Sequence, residues 1–177
     1  MKVIYKNFIL FLVSLFLAGN IQAQSVSTNS LSLSGSDFGT LITIDITTSD
    51  ISSNYGDILI GTIELSFDVN VMQYVGLTYT NPALGSTFGN TLNPAGTDNN
   101  GDGKVKFNIE ADNFTAASFP DGLLATLQFM YSGGSAGLEI SIVEFFTASF
   151  ATEIPTTNAG TISGFATITS VSAGGTW

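Results

Sequence analysis

The chain has 177 residues, 14 acidic side chains against four lysines, and neither histidine nor cysteine. That length implies one domain with room for a sizeable core. Its acidity repels phosphate backbones and anionic lipid heads, which argues against nucleic acid and peripheral membrane partners. The missing residue types exclude Ser-His and Cys-His nucleophiles, thiolate zinc sites and disulfides.

Met1 to Ala23 reads as a secretory signal peptide. Lys2 and Lys6 form the basic start, Phe8 to Ala18 is a short apolar run, and Ile21-Gln22-Ala23 places cleavage before Gln24. The expectation is an exported bacterial protein, secreted or held at the cell surface, with no membrane insertion after cleavage. Its mature part keeps two lysines, Lys104 and Lys106, and all 14 carboxylates.

From Gln24 the pattern is period-two alternation broken by Gly, Asn, Asp and Pro. Strands are expected over Val26–Ser34, Leu41–Thr47, Ile58–Asp68, Val71–Thr80, Lys104–Ala111, Leu123–Tyr131, Leu138–Phe145 and Ile162–Ser170. A shorter one is expected near Ala148–Ala151. No stretch sustains a helical period, so the fold class is all-β: an antiparallel two-sheet sandwich occupying 24–171.

Inner faces are legible in the alternation. Ile63, Leu65 and Phe67 should face the core, with Glu64, Ser66 and Asp68 in water. Val105, Phe107 and Ile109 alternate in the same way with Asn108 and Glu110. Ala125, Leu127, Phe129 and Tyr131 alternate with Leu124, Thr126, Gln128 and Met130. Leu124 and Met130 are apolar on a nominally wet side, which calls for a covering loop or an interaction surface.

The connection from Asn81 to Gly103 has no strand signal, and loops of that length are usually functional or mobile. Asp98-Asn99-Asn100-Gly101-Asp102-Gly103 matches the opening of an EF-hand-like loop, with Asp98, Asn100 and Asp102 at the first three ligand positions. Calcium is therefore the one candidate cofactor. Ile109 stands where the closing glutamate belongs, and the competing reading is a polar turn feeding a strand.

Glu110 and Asp112 fall on one side of one strand. Such a pair does not straddle a glycosidic bond, so the expectation is a solvated acidic face and no enzyme. Direct sugar binding would use exposed aromatics. Tyr74 and Tyr131 sit at core spacing, which leaves Tyr55 and Tyr79. Residues 172–177 read as a linker, the start of a following module or an ordinary frayed end.

Three motifs in register carry a family likeness. Ile63-Glu64-Leu65-Ser66-Phe67-Asp68-Val69-Asn70-Val71-Met72-Gln73-Tyr74-Val75 resembles the cohesin pattern of alternation, Tyr-Asp-Pro, Val-Leu and an aromatic. Gly103 to Asp112 resembles that family's fifth strand, and Asp121-Gly122-Leu123-Leu124-Ala125-Thr126-Leu127-Gln128-Phe129 its sixth. Val69, Phe67 and Met72 depart from the family's Pro, Tyr and Leu. The likeness runs from about Ser25 to Thr169.

The resemblance implies a jelly-roll sandwich of about nine strands, related to carbohydrate-binding module families 2 and 3. It also implies a dockerin-type partner bound on the sheet containing the third, fifth and sixth strands. Mapped here, that face would present Glu64, Ser66, Asp68, Asn108, Glu110, Asp112, Leu124, Thr126 and Gln128. The expected role is a non-catalytic module of an extracellular polysaccharide-degrading or surface assembly. The alternatives are a polysaccharide-binding module of the same fold and a spacer in a longer surface protein.

Overall fold

Alternating Ile, Val, Leu and Phe can bury one side of a strand only against a second sheet, and the chain builds two. The computed structural model describes residues 24–88 and 101–165. The expected leader, Asp98, Asn100, residues 166–170 of the expected last strand and the 172–177 tail lie outside them.

In chain order the strands are β1 (Ser25–Thr28), β2 (Leu31–Ser32), β3 (Leu41–Ser49), β4 (Ile58–Ser66), β5 (Met72–Thr80) and β6 (Lys104–Glu110). They continue with β7 (Gly122–Tyr131), β8 (Ala136–Gly137), β9 (Glu139–Thr147), β10 (Thr152–Glu153), β11 (Thr156–Asn158) and β12 (Thr161–Ser163). Two short helices interrupt them, α1 (Ile51–Tyr55) and α2 (Ala83–Ser86).

One sheet has the order β11-β1-β3-β7-β5 and the other β10-β9-β4-β6. A small third sheet, β2-β12-β8, extends the sandwich where the first and last strands meet. Pairing is antiparallel except at those ends, where β1 runs parallel to β11 and β2 parallel to β12.

The expected inner residues Ile63, Leu65, Phe67, Val105, Phe107, Ile109, Ala125, Leu127, Phe129 and Tyr131 are all buried in one core. Phe67 and Phe129 bridge the two sheets edge to face, with ring centroids 5.0 Å apart. Thr48 is the polar exception on the inner side of β3, and its hydroxyl donates to the Pro120 carbonyl at 2.7 Å.

The expected first strand, Val26–Ser34, is broken in two, because the chain changes sheet at Asn29. There the Asn29 side-chain carbonyl accepts the Asp45 N–H at 2.8 Å, supplying the ladder bond that β1 no longer offers. Gly160 makes the matching step in the last strand, which begins earlier than expected, at β11. The Gly160 N–H donates to the Thr28 hydroxyl at 2.7 Å, and a Cβ on this residue would run into the Asn29 carbonyl.

Other expectations are corrected. Ala148–Ala151 is the turn between β9 and β10, with Phe150 at φ +62°, and no strand. The connection after Asn81 is structured in its described part. Asn81 holds it to β7 through its amide, which donates to the Leu123 carbonyl at 2.9 Å, and Leu84 and Phe88 enter the core. Tyr55 lies on α1 and packs partly buried against the core, so it is not a freely exposed aromatic.

Candidate protein-binding faces

The outward side of β10-β9-β4-β6 follows from register. Ile60, Thr62, Glu64 and Ser66 of β4 stand opposite Glu110, Asn108, Lys106 and Lys104 of β6. On the other flank Ile60 pairs with Phe146 and Thr62 with Glu144 of β9. Strand β6 thus runs from two lysines at one end of the face to a glutamate at the other.

At the lysine end Glu64 is only 7 % exposed. Its carboxylate accepts the Lys104 ammonium at 3.2 Å and the Ser141 hydroxyl at 2.7 Å, and the Ser66 hydroxyl donates to Ser141 at 2.9 Å. A bulge in β9 opposite Glu64 brings Ser141 to this side. Burial pushes the Glu64 carboxyl upward, but the bonds from Ser141 and Lys104 and the charges of Lys104 and Lys106 outweigh it and hold the group below its ordinary range. The network anchors three adjacent strands.

The opposite end is apolar and acidic. Ile60 and Phe146 share a row with Glu110, and Glu144 follows in the next row. Two shallow grooves meet at Glu144. One, of about 310 Å³, reaches Ile154 and Pro155, and the other, of about 150 Å³, is floored by Ile60, Thr62 and Phe146. Turns on either side tie onto the start of β4, through the Ile58 N–H to the Ala117 carbonyl and the Ala148 N–H to the Asp57 carbonyl. Each turn displays a phenylalanine in the left-handed region. Phe114 is at φ +54° and 68 % exposed, and Phe150 is at φ +62° and 75 % exposed. Bulky residues rarely hold that conformation, and such strain gathers at functional sites.

Six of the nine expected partner residues belong to this sheet or its ends. Glu64, Ser66, Asn108 and Glu110 share the outward face. Asp68 lies just beyond β4, where its carboxylate accepts the Asn70 N–H at 2.8 Å. Asp112 falls past the end of β6 in a turn, so it is not the strand-mate of Glu110 that alternation predicted.

Leu124, Thr126 and Gln128 are on the other sheet. The chain crosses between sheets after β6, and β7 pairs with β3 and β5, so these three cannot share a face with Glu64. Leu124 is also only 1 % exposed. It is the extra residue of a bulge opposite Ile46 and Thr47, which turns it inward beside Ala125. Neither a covering loop nor an interaction surface is needed for it. Met130 stays half-buried opposite Leu41.

The residues missed by sequence reasoning are Ile60, Phe114, Glu144, Phe146 and Phe150. Extending the outward series of β4 back by one step reaches Ile60, and the alternation of Val143 and Phe145 implies Glu144 and Phe146. The two strained phenylalanines carried no such signal.

Of the expected calcium ligands, Asp98 and Asn100 are outside the described residues. Asp102 is exposed, and its carboxylate accepts the Lys104 N–H at 3.2 Å. Gly103 has φ +71°, and a Cβ there would meet the Phe67 carbonyl. Its own carbonyl accepts the Phe67 N–H at 2.8 Å, so strand pairing alone accounts for this glycine.

No protein-family model and no curated protein matches the chain. Solved structures do. The sixth cohesin of scaffoldin B from Acetivibrio cellulolyticus, solved with a dockerin, is 22% identical over 81% of this chain and 100% of that one, with a TM-score of 0.58. The OlpC cohesin–dockerin complex of Clostridium thermocellum gives a TM-score of 0.63 at 12% identity, over 79% of this chain and 92% of that one. A non-cellulosomal cohesin from Archaeoglobus fulgidus gives 0.54 at 18% identity, over 79% and 89%. The chain has the cohesin fold, a two-sheet all-β sandwich.

Proposed function

We propose that this cohesin-fold chain is an exported, non-catalytic module that binds a dockerin-type partner on the outward face of β10-β9-β4-β6. The observation that carries the reading is the row Phe146–Ile60–Glu110 with Glu144 beside it, an apolar centre rimmed by carboxylates. Such a patch fits a partner helix presenting a small aliphatic side chain next to Lys or Arg. The fold supports the partner class, since cohesins of this shape were solved with dockerins. The leader supports export from a bacterial cell. Calcium on the Asp98 loop is a secondary proposal.

The test uses residues 24–177 as bait against the source organism's secreted proteins, beside Ile60→Asp and Glu110→Lys. Capture of a protein with paired Asp-x-Asn-x-Asp-Gly loops, lost with Ile60→Asp and less salt-dependent with Glu110→Lys, is the expected result. Equal capture by both variants moves the interface elsewhere. Failure to capture any such protein leaves the spacer.

A further inference from the structure

The outward side of the other sheet has a different character, and we propose that it is a binding platform for a neutral polysaccharide, centred on Tyr79. Strand β5 is the edge of this sheet and carries two bulges, after Tyr74 and after Leu77. The first bulge follows Tyr74, which packs inward on Phe129 at 5.6 Å. After the second, Tyr79 pairs with Thr126, an outward residue of β7, and is 40 % exposed. Directly opposite residues in an antiparallel pair share a face about 5 Å apart, so Tyr79 shares the face that carries the Thr126 hydroxyl.

The row continues to Asp45 on β3. The Thr126 hydroxyl donates to the Asp45 carboxylate at 2.6 Å, which fixes both groups before any ligand arrives and leaves a second carboxylate oxygen to accept from sugar hydroxyls. In the next row Gln128 pairs with Gly76. A Cβ on Gly76 would meet nothing within 4 Å, so the floor beside Tyr79 is open, with the Gln128 amide at its edge. An exposed ring next to preset hydroxyl, carboxylate and amide groups suits a pyranose, which offers an apolar face and a polar rim.

Charge narrows the ligand. The chain is strongly acidic, yet these two rows hold one carboxylate, and both lysines of the described residues lie on the other sheet. A charged macromolecule would find little here to pair with. A neutral glycan needs nothing more. The site also explains why Thr126 and Gln128 are polar and outward on a sheet away from the proposed partner face, and it does not depend on that partner. Because the two faces lie on opposite sides of the sandwich, both can be occupied at once.

The experiment measures depletion of the 24–177 chain from solution by insoluble cellulose, xylan, chitin and mannan. Variants are Tyr79→Ala, Tyr79→Phe, Thr126→Val and, as a control on the opposite sheet, the exposed Glu139→Lys. Retention by at least one polysaccharide is expected, weakened about tenfold or more by Tyr79→Ala, kept by Tyr79→Phe, reduced by Thr126→Val and unchanged by Glu139→Lys. An unaltered melting temperature for Tyr79→Ala shows that the loss is not unfolding. No depletion by any of the four polymers overturns the proposal, as does retention of Tyr79→Ala and Thr126→Val at wild-type strength.

Discussion

The Lys104 ammonium lies 3.2 Å from the Glu64 carboxylate, across adjacent strands of one face, and Glu64 is the more buried partner. A buried carboxylate is tolerated when a cation and a hydroxyl both satisfy it, and Ser141 supplies the second bond. Removing the charge should therefore cost stability in a way that depends on pH.

The native carboxyl is depressed below 4.5, its ordinary value, so its contribution is complete above that pH and is lost as pH falls through the native pKa. Glu64→Gln should be less stable than the parent by about 1 kcal/mol at pH 7. The two melting curves should converge as pH drops below 4.5. A gap that stays constant to pH 3 would show that the charge of Glu64 is not what stabilises the face.

Phe150 holds a left-handed backbone with most of its ring in water, touching Phe146 edge-on at 6.4 Å. Asn accepts that conformation at lower cost. Phe150→Asn should leave stability unchanged or raise it by up to about 1 kcal/mol. If the ring is an anchor for the partner, the same variant should bind it about tenfold more weakly. A stability loss above about 1 kcal/mol, measured by denaturant midpoint, would instead make Phe150 a packing residue.

Gly160 sits where the first and last strands change sheets together. Gly160→Ala forces its methyl against the Asn29 carbonyl and should cost about 2 kcal/mol or more. Gly137→Ala, where a Cβ meets nothing within 4 Å, should stay within about 0.5 kcal/mol of the parent. Equal losses in chemical denaturation would deny Gly160 its special place.

Calcium on the Asp98 loop predicts a melting temperature lowered by a few degrees on adding chelator, because a ligand bound only to the native state stabilises it. Asp102→Ala removes a bond to the Lys104 N–H as well, so its absolute stability is not the readout. The readout is the chelator effect, which should vanish in that variant. Identical melts of the parent with and without chelator remove the metal from the account.

The alternation of β4, β6 and β7 was enough to place Ile63, Phe107 and Phe129 inside and Asn108 and Gln128 on outward sides, since side chains on a strand can point only two ways. Glu64, expected in water, points outward but is buried under Lys104 and Ser141. Bulges defeat that rule locally. One extra residue turned Leu124 inward, and another brought Ser141 beside Glu64, with no composition cue at either place.

Sequence alone determined the all-β class, the cohesin likeness and the two-faced character of each strand, because these follow from local periodicity and composition. Which strands share a sheet was decided only by tertiary structure. Period two records that a residue faces outward but not on which side of the sandwich, and the crossing between β6 and β7 separates Glu64 from Gln128. The same pairing set Tyr79 beside Thr126 and Asp45, residues 34 and more positions apart that no local pattern links. Non-local register alone brings them together.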